Sequence, residues 1–187
     1  MKGKFIAACL LLAAPFALTP AAAQEAAPAD SIVDKIINVP APQAHRVDGL
    51  KSKPKIRKDE AVQGGQAVRI NVPGKSDQAW TVAVASPITK PVKAGDRLVL
   101  AFWARLEKGD GGATSASLPY NSVQLAREPY SAVFGGPVTI TPEWTLHEID
   151  GTADKDYAAG DLVVSLHLAT GKQTVDVGPV FVLDMGQ

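Results

Sequence analysis

In three apolar segments of this chain, one face is predicted to be apolar and the opposite face carries polar or aromatic residues. These segments are 98–106, 122–127 and 162–168. Because successive side chains of a β-strand point to opposite faces, the alternating apolar residues predict one buried face in each segment. The opposite faces carry Trp103, Arg105, Gln124, Ser165 and His167.

Together these side chains have the chemistry of a carbohydrate site. Sugar hydroxyls need groups that donate and accept hydrogen bonds, and the apolar C–H faces of sugar rings stack on aromatic residues. Trp103 supplies the ring, and its polar companions supply the hydrogen bonds. This requires the three strands to share a sheet, and the sequence does not show the strand order. The alternative is that a loop covers Trp103 and that Arg105 forms a surface ion pair.

Patterns typical of an active site are absent from the sequence. A glycoside hydrolase needs two facing carboxylates, and an acyl hydrolase needs a nucleophile, a base and an orienting group. The acidic residues of 143–161 cluster around turns, where charge is usually solvated. His45, His147 and His167 have no cysteine or regularly spaced carboxylate beside them that would indicate a metal site. We therefore expect no catalytic activity, with a glycoside hydrolase or its accessory subunit as the less favoured alternative.

The elements that position the candidate residues are predicted to be short β-strands. Apolar runs separated by Gly, Pro, Asn and Asp predict about eight or nine antiparallel strands and no helix of note, an all-β sandwich or jelly roll. The segment 31–38 is predicted to form a short helix or strand ahead of them. The predicted strands are 66–71, 80–85, 96–106, 122–127, 136–140, 143–149, 161–169 and 174–183, with 51–58 as an added edge strand.

The run 51–58 is strongly basic, with lysine or arginine at five of its positions. Lysine and proline on a boundary strand prevent edge-to-edge pairing of sheets, and this is the favoured interpretation. Binding of an acidic polysaccharide by local charge is the alternative.

The N-terminus has the pattern of a secretory leader. Lys2 and Lys4 precede an apolar segment, 5–18, and Ala21-Ala22-Ala23 forms a small-residue cleavage site. We predict a signal peptide over 1–23, a tether and lead-in over 24–44, and one domain over 45–187, located in the periplasm or secreted. A lipoprotein acylated at Cys9 is the alternative. The apolar segment is short of the ~20 residues that span a bilayer, so no transmembrane anchor is expected.

Charge and cysteine content exclude several classes of function. The chain has 19 basic and 19 acidic residues. Cleavage of the leader would leave 17 basic against 19 acidic residues. The net charge therefore does not favour binding of nucleic acid or of an anionic membrane. Cys9 is the single cysteine, so the mature chain would have no disulfide and no thiolate site.

The order of several motifs resembles carbohydrate-binding modules of the family 4, 9 and 22 type. The resemblance covers 49–184 and implies a galactose-binding-domain-like jelly roll that binds glycan chains in a cleft across one sheet. Such modules are often attached to xylanases and other glycoside hydrolases. The motifs are Gly65–Ile70, Trp80, Val92–Arg105, Thr141–Trp144, Leu162–Leu168 and Gln173–Asp184.

The resemblance also implies roles for individual residues. Trp103 and Arg105 lie on a strand similar to a cleft-lining strand, which makes them ligand candidates together with Gln124 and His167. Tyr120 and Tyr130 lie in or beside the loop-rich stretch 117–136, where they either form the rim of the cleft or anchor the loops. Trp80 and Trp144 match positions that usually pack into the fold or its strand ends.

A structural calcium ion is a further implication of the resemblance. Asp184 lies at the position where the last carboxylate ligand of this ion would fall. The N-terminal region shows no clear acidic partner for it, and calcium needs six to eight oxygens. No other cofactor is expected.

Two hypotheses follow from the sequence. The first is an exported, non-catalytic domain that binds a polysaccharide such as xylan or another β-glycan, alone or beside a separately encoded glycoside hydrolase. The second is a β-sandwich protein-interaction or scaffold domain without a sugar site. An open groove with an exposed aromatic face would favour the first.

Overall fold

The computed structural model describes residues 31–187 as a β-sandwich of ten strands. The predicted signal peptide and the first part of the predicted tether lie outside the described residues. The strands are β1 Arg46–Asp48, β2 Lys55–Lys58, β3 Gln66–Val72, β4 Ala83–Pro87, β5 Arg97–Lys108, β6 Ala116–Leu125, β7 Ala132–Ile140, β8 Thr145–Thr152, β9 Leu162–His167 and β10 Gln173–Asp184.

The strands form two antiparallel sheets of five strands each. The front sheet has the order β1-β4-β9-β6-β7, and the back sheet has the order β2-β3-β10-β5-β8. This architecture confirms the predicted all-β sandwich and is consistent with a jelly roll. The strand missing from the prediction is β1, whose three residues are too few to show an alternating pattern.

The core lies between the sheets and follows the predicted alternation. Leu98, Leu100 and Phe102 of β5 are at most 1% exposed, and Leu166 of β9 faces them from the front sheet with no exposure. Burying such side chains contributes about 1.5–3 kcal/mol each relative to leaving them in water, so this face fixes the orientation of each strand. The polar faces of β5 and β9 consequently point outward, on opposite sides of the sandwich.

The strand β10 lies at the centre of the back sheet and pairs with both β3 and β5. Its register against β5 shifts between Val177 and Val180, where Gly178 and Pro179 intervene. Proline has no N–H to donate to a ladder, so a bulge is the expected way to continue the strand past it. The Gly-Pro interruption visible in the sequence is therefore a local irregularity inside one long strand.

The segment before β1 packs onto both sheets. Asn38 is buried, and its amide nitrogen donates to Ser86 Oγ of β4 at 2.9 Å and to the Val180 carbonyl of β10 at 2.8 Å. Its side-chain oxygen accepts from the Val182 amide at 2.8 Å. One side chain thus connects the two sheets at this end of the sandwich.

Within residues 31–187, no helix has the length and apolar character needed to cross a bilayer.

Candidate binding groove

A groove runs across the outer face of the front sheet. It consists of two open depressions, of about 570 and 580 Å³. Both depressions are lined by Trp80 and His167, so these two residues lie where the depressions meet. The groove therefore continues along the sheet on both sides of this pair.

Small side chains form the floor of one half of the groove. Ala83 and Ala85 of β4 line it together with Ser165 of β9, which pairs with Ala85. All three are buried, and none is large enough to fill the space above the sheet. The depression therefore follows from the residue sizes along two neighbouring strands.

An aromatic pair flanks His167 near the centre of the groove. The His167 ring centroid lies 6.2 Å from that of Trp80 and 6.0 Å from that of Tyr120. Trp80 is 55% exposed and Tyr120 is 61% exposed. The expectation that Trp80 packs into the fold is wrong: it lies in a short 3-10 turn, Ala79–Thr81, just before β4, which holds it above the sheet.

The other end of the groove carries Tyr130 and Gln124. Tyr130 is 53% exposed and has a φ of 56°, in the left-handed region that residues other than glycine seldom adopt. The Gln124 side-chain oxygen accepts a hydrogen bond from Ser122 Oγ at 3.1 Å. Arg46 and Asp48 of β1 also line this end and form an exposed ion pair at 2.9 Å. No sequence pattern pointed to these two residues, because β1 is so short.

Burial favours the neutral form of His167. It lowers the pKa of the imidazole below the usual value. The Nδ1 atom of this ring is buried and has no hydrogen-bond partner among residues 31–187. Protonation would leave a charge in a partly desolvated position, which is unfavourable.

The structure separates the predicted site residues into two groups. Gln124, His167, Tyr120 and Tyr130 lie along the groove, whereas Trp103 and Arg105 lie on the outer face of the opposite sheet. The condition that all three strands share a sheet therefore fails, because β5 belongs to the back sheet. The assignment of Trp103 and Arg105 as ligand residues stays a prediction.

Trp103 and Arg105 both have protein partners on the back sheet. Trp103 is half-buried, and its Nε1 donates to Gln63 Oε1 at 3.0 Å. Arg105 donates from Nε to Asp176 at 2.9 Å and from Nη2 to Glu107 at 2.8 Å. Arg105 thus forms ion pairs, as in the alternative considered for it, but of these two partners only Glu107 is partly exposed, whereas Asp176 is buried.

Asp176 is the centre of a cluster of arginines on this face. Its carboxylate has no solvent exposure and accepts hydrogen bonds from Arg57, Arg69 and Arg105 at 2.7–3.0 Å. Burial alone would raise the pKa of Asp176, but the hydrogen bonds and charges of Arg69 and Arg105 outweigh burial and hold that pKa below its usual value. Trp144 completes the cluster, with the Arg105 guanidinium 5.1 Å from its ring centroid.

Sequence reasoning missed this cluster. Its charged members come from four strands, and only the register of the back sheet brings them together: Asp176 pairs with both Arg69 and Arg105. Trp144 is half-buried, and its Nε1 donates to Asp59 at 3.2 Å, which agrees with a packing role near a strand end.

The calcium ion that the resemblance implies would lie beside Asp184. The Asp184 Oδ1 atom accepts a hydrogen bond from the Gly186 amide at 2.9 Å. Asp34 lines the same shallow depression, so two carboxylates are available there, against the six to eight oxygens that calcium takes. No group of three or more His, Cys, Asp or Glu side chains suited to a metal occurs within residues 31–187. The ion stays a prediction.

Comparison with solved structures places the fold among carbohydrate-binding modules. The second N-terminal cellulose-binding domain of β-1,4-glucanase C from Cellulomonas fimi matches 84% of this chain and 98% of its own, with 19% identity and a TM-score of 0.60. The N-terminal cellulose-binding domain of that enzyme matches 79% of this chain and 93% of its own, with 14% identity and a TM-score of 0.56. The CBM22-1 xylan-binding domain of Paenibacillus barcinonensis Xyn10C matches 82% and 93%, with 13% identity and a TM-score of 0.52.

This chain has the fold of those modules. The finding confirms the sequence resemblance at the level of fold. No family model matches the chain, and no curated protein does. At these identities the likeness concerns the backbone architecture, so the ligand must be argued from the groove itself.

Proposed function

We propose that this protein is a non-catalytic carbohydrate-binding domain that holds a β-glycan such as xylan in the groove of its front sheet. The observation that carries the proposal is the exposed pair Trp80 and Tyr120 on either side of His167, above a sheet of small residues. The structural neighbours support it, because their names describe binding of cellulose and of xylan.

The groove offers both kinds of contact that a sugar needs. The rings of Trp80 and Tyr120 supply faces on which sugar C–H groups stack, and Tyr130 supplies another at the far end. Ser165 and Gln124 present groups that donate and accept hydrogen bonds between these rings. Since the two depressions continue on both sides of His167, the shape suits an extended chain of several sugars.

Three carboxylates line the groove, and two of them have protein partners. Asp48 is paired with Arg46, and Asp110 accepts a hydrogen bond from the Lys172 amide at 3.1 Å. The third, Asp77, lines the same depression as Asp110. A glycoside hydrolase needs two carboxyl groups that face each other across the scissile bond. We assign binding rather than hydrolysis because aromatic rings, and not these carboxylates, flank His167 where the two depressions meet.

Affinity electrophoresis in gels containing xylan, β-glucan or mannan tests the proposal. Trp80→Ala is compared with Trp103→Ala, which removes the same side chain from the opposite sheet. We expect one glycan to retard the wild type and Trp103→Ala, and Trp80→Ala to lose about 1–3 kcal/mol of binding free energy, by analogy with base stacking on aromatic residues. Near-UV circular dichroism checks that both variants fold.

Two outcomes would contradict the proposal. Equal mobility of the wild type with and without every glycan would exclude a sugar site and favour the scaffold hypothesis. Loss of binding in Trp103→Ala with retention in Trp80→Ala would place the site on the back sheet, around Trp103 and Arg105.

We also propose export to the periplasm or the medium, on the basis of the leader pattern in 1–23. Mass spectrometry of the protein recovered from cells and medium should give an N-terminus at Gln24. A product that retains the leader, or one acylated at Cys9, would contradict this. Co-purification from the same fractions would test pairing with a separate glycoside hydrolase.

A further inference from the structure

A basic depression lies beside β2, away from the groove. It has a volume of about 520 Å³, and its cationic lining residues are Lys51, Lys53, Lys55 and Arg69. No acidic residue of the described part of the chain lines it. The three lysines are exposed, and none lies within 4.0 Å of a carboxylate belonging to residues 31–187.

Protection of the sheet edge accounts for only part of this charge. β2 is an edge strand of the back sheet, so Lys55 and Lys58 suffice to discourage pairing with another sheet. Lys51 and Lys53 precede the strand, in the bend that leads into it. Edge protection does not require them, yet they line the same depression as Lys55.

The backbone register brings a further cation to the site. Lys55 pairs directly with Arg69 across the ladder, and like charges in that position are destabilising. Asp176 and Glu107 compensate Arg69, with ion pairs of 2.7 Å to each. Arg69 is thereby held in place beside Lys55, and the three lysines carry the uncompensated charge of the depression.

We propose that Lys51, Lys53 and Lys55, beside Arg69, form a second binding site that takes an anionic polysaccharide. The concave shape admits a narrow charged chain, whereas a bilayer presents a flat surface. The described residues that line the depression include no aromatic ring on which nucleic-acid bases could stack. The site is separate from the proposed β-glycan groove and does not depend on it.

Affinity electrophoresis with polygalacturonate, dextran sulfate and neutral dextran tests this site. The variant K51Q/K53Q/K55Q is compared with K90Q/K155Q/K172Q, which removes the same charge at exposed lysines elsewhere. We expect the first variant to bind polygalacturonate about tenfold more weakly and the second to behave as the wild type. Binding should weaken as salt rises and screens the charges. Retention by both polyanions indicates recognition by charge, and retention by polygalacturonate alone indicates recognition of carboxylates; either supports the site.

Four results would overturn the proposal. The first is no retardation of the wild type by either polyanion at low salt. The second is an equal loss in both triple variants, which would reflect net charge alone. The third is equal or tighter binding to phosphatidylglycerol vesicles or single-stranded DNA. The fourth is loss of polygalacturonate binding in Trp80→Ala, which would place the anionic ligand in the groove; we expect this variant to retain that binding. Failure of this test leaves the xylan experiment unaffected, because the two use different variants and polymers.

Discussion

At the scale of single residues, Asp176 shows how a buried charge is kept in this fold. Its carboxylate is fully buried and lies within 3.0 Å of three arginines that are themselves partly exposed. Removing one partner of a buried ion pair leaves the others uncompensated, which is far more costly than losing a surface pair. The same reasoning explains why Arg105 does not extend freely into solvent.

Asp176→Asn should lower the free energy of unfolding by on the order of 3 kcal/mol, because three guanidinium groups lose their shared carboxylate. Urea denaturation at neutral pH measures this change. The control is Asp48→Asn, which breaks the exposed pair with Arg46 and should cost about 0–1 kcal/mol. Similar values for the two variants would show that the arginine cluster contributes little to stability.

At the scale of elements, the turn that carries Trp80 rests on the end of β1. Gly49 has a φ of +82°, and a Cβ at this position would overlap the carbonyl oxygen of Thr81. Only glycine allows this close approach of two backbone segments. The position of the 3-10 turn Ala79–Thr81, and of Trp80 within it, therefore depends on a residue outside the groove.

Gly49→Ala should destabilise the protein by about 2–5 kcal/mol, from backbone strain and overlap with Thr81 together. It should also weaken glycan binding, because the turn must move. Gly65→Ala is the matched control: Gly65 has a φ of +68°, and a Cβ there would meet no atom within 4 Å, so strain alone should cost about 1–2 kcal/mol. Thermal unfolding and affinity electrophoresis measure both effects; equal losses in the two variants would show that the contact with Thr81 is not limiting.

At the scale of the whole molecule, the histidines make stability depend on pH. The chain has three, and burial lowers the pKa of His45, His147 and His167 alike from the usual 6.5; for His45 a hydrogen bond with the Gly178 carbonyl offsets part of the effect. Below about pH 6.5 the unfolded chain therefore binds more protons than the folded one, and the unfolding free energy falls. Asp176 adds a second loss at lower pH: its stabilisation is complete above its unfolded pKa of about 4 and disappears as pH falls through its lower folded pKa.

Urea denaturation at several pH values between about 7.5 and 5 should show little change above about pH 7 and a loss of stability below about pH 6.5, with a slope of up to about 1.4 kcal/mol per pH unit for each histidine. Titration of the ring protons by NMR should place all three histidine pKa values below 6.5. Constant stability over this range, or a histidine that titrates at or above its usual value, would contradict the expectation.

The sequence by itself determined the fold class, the central strands and their buried faces, because side-chain alternation and turn residues are local signals. The apolar face of β5 and the outward faces that carry Gln124 and His167 follow from them. Only the tertiary structure decided which strands share a sheet, since that depends on pairing between residues far apart in the chain. It therefore separated Trp103 and Arg105 from the groove, placed Trp80 there on a turn held by Gly49, and gathered Arg57, Arg69 and Arg105 around Asp176.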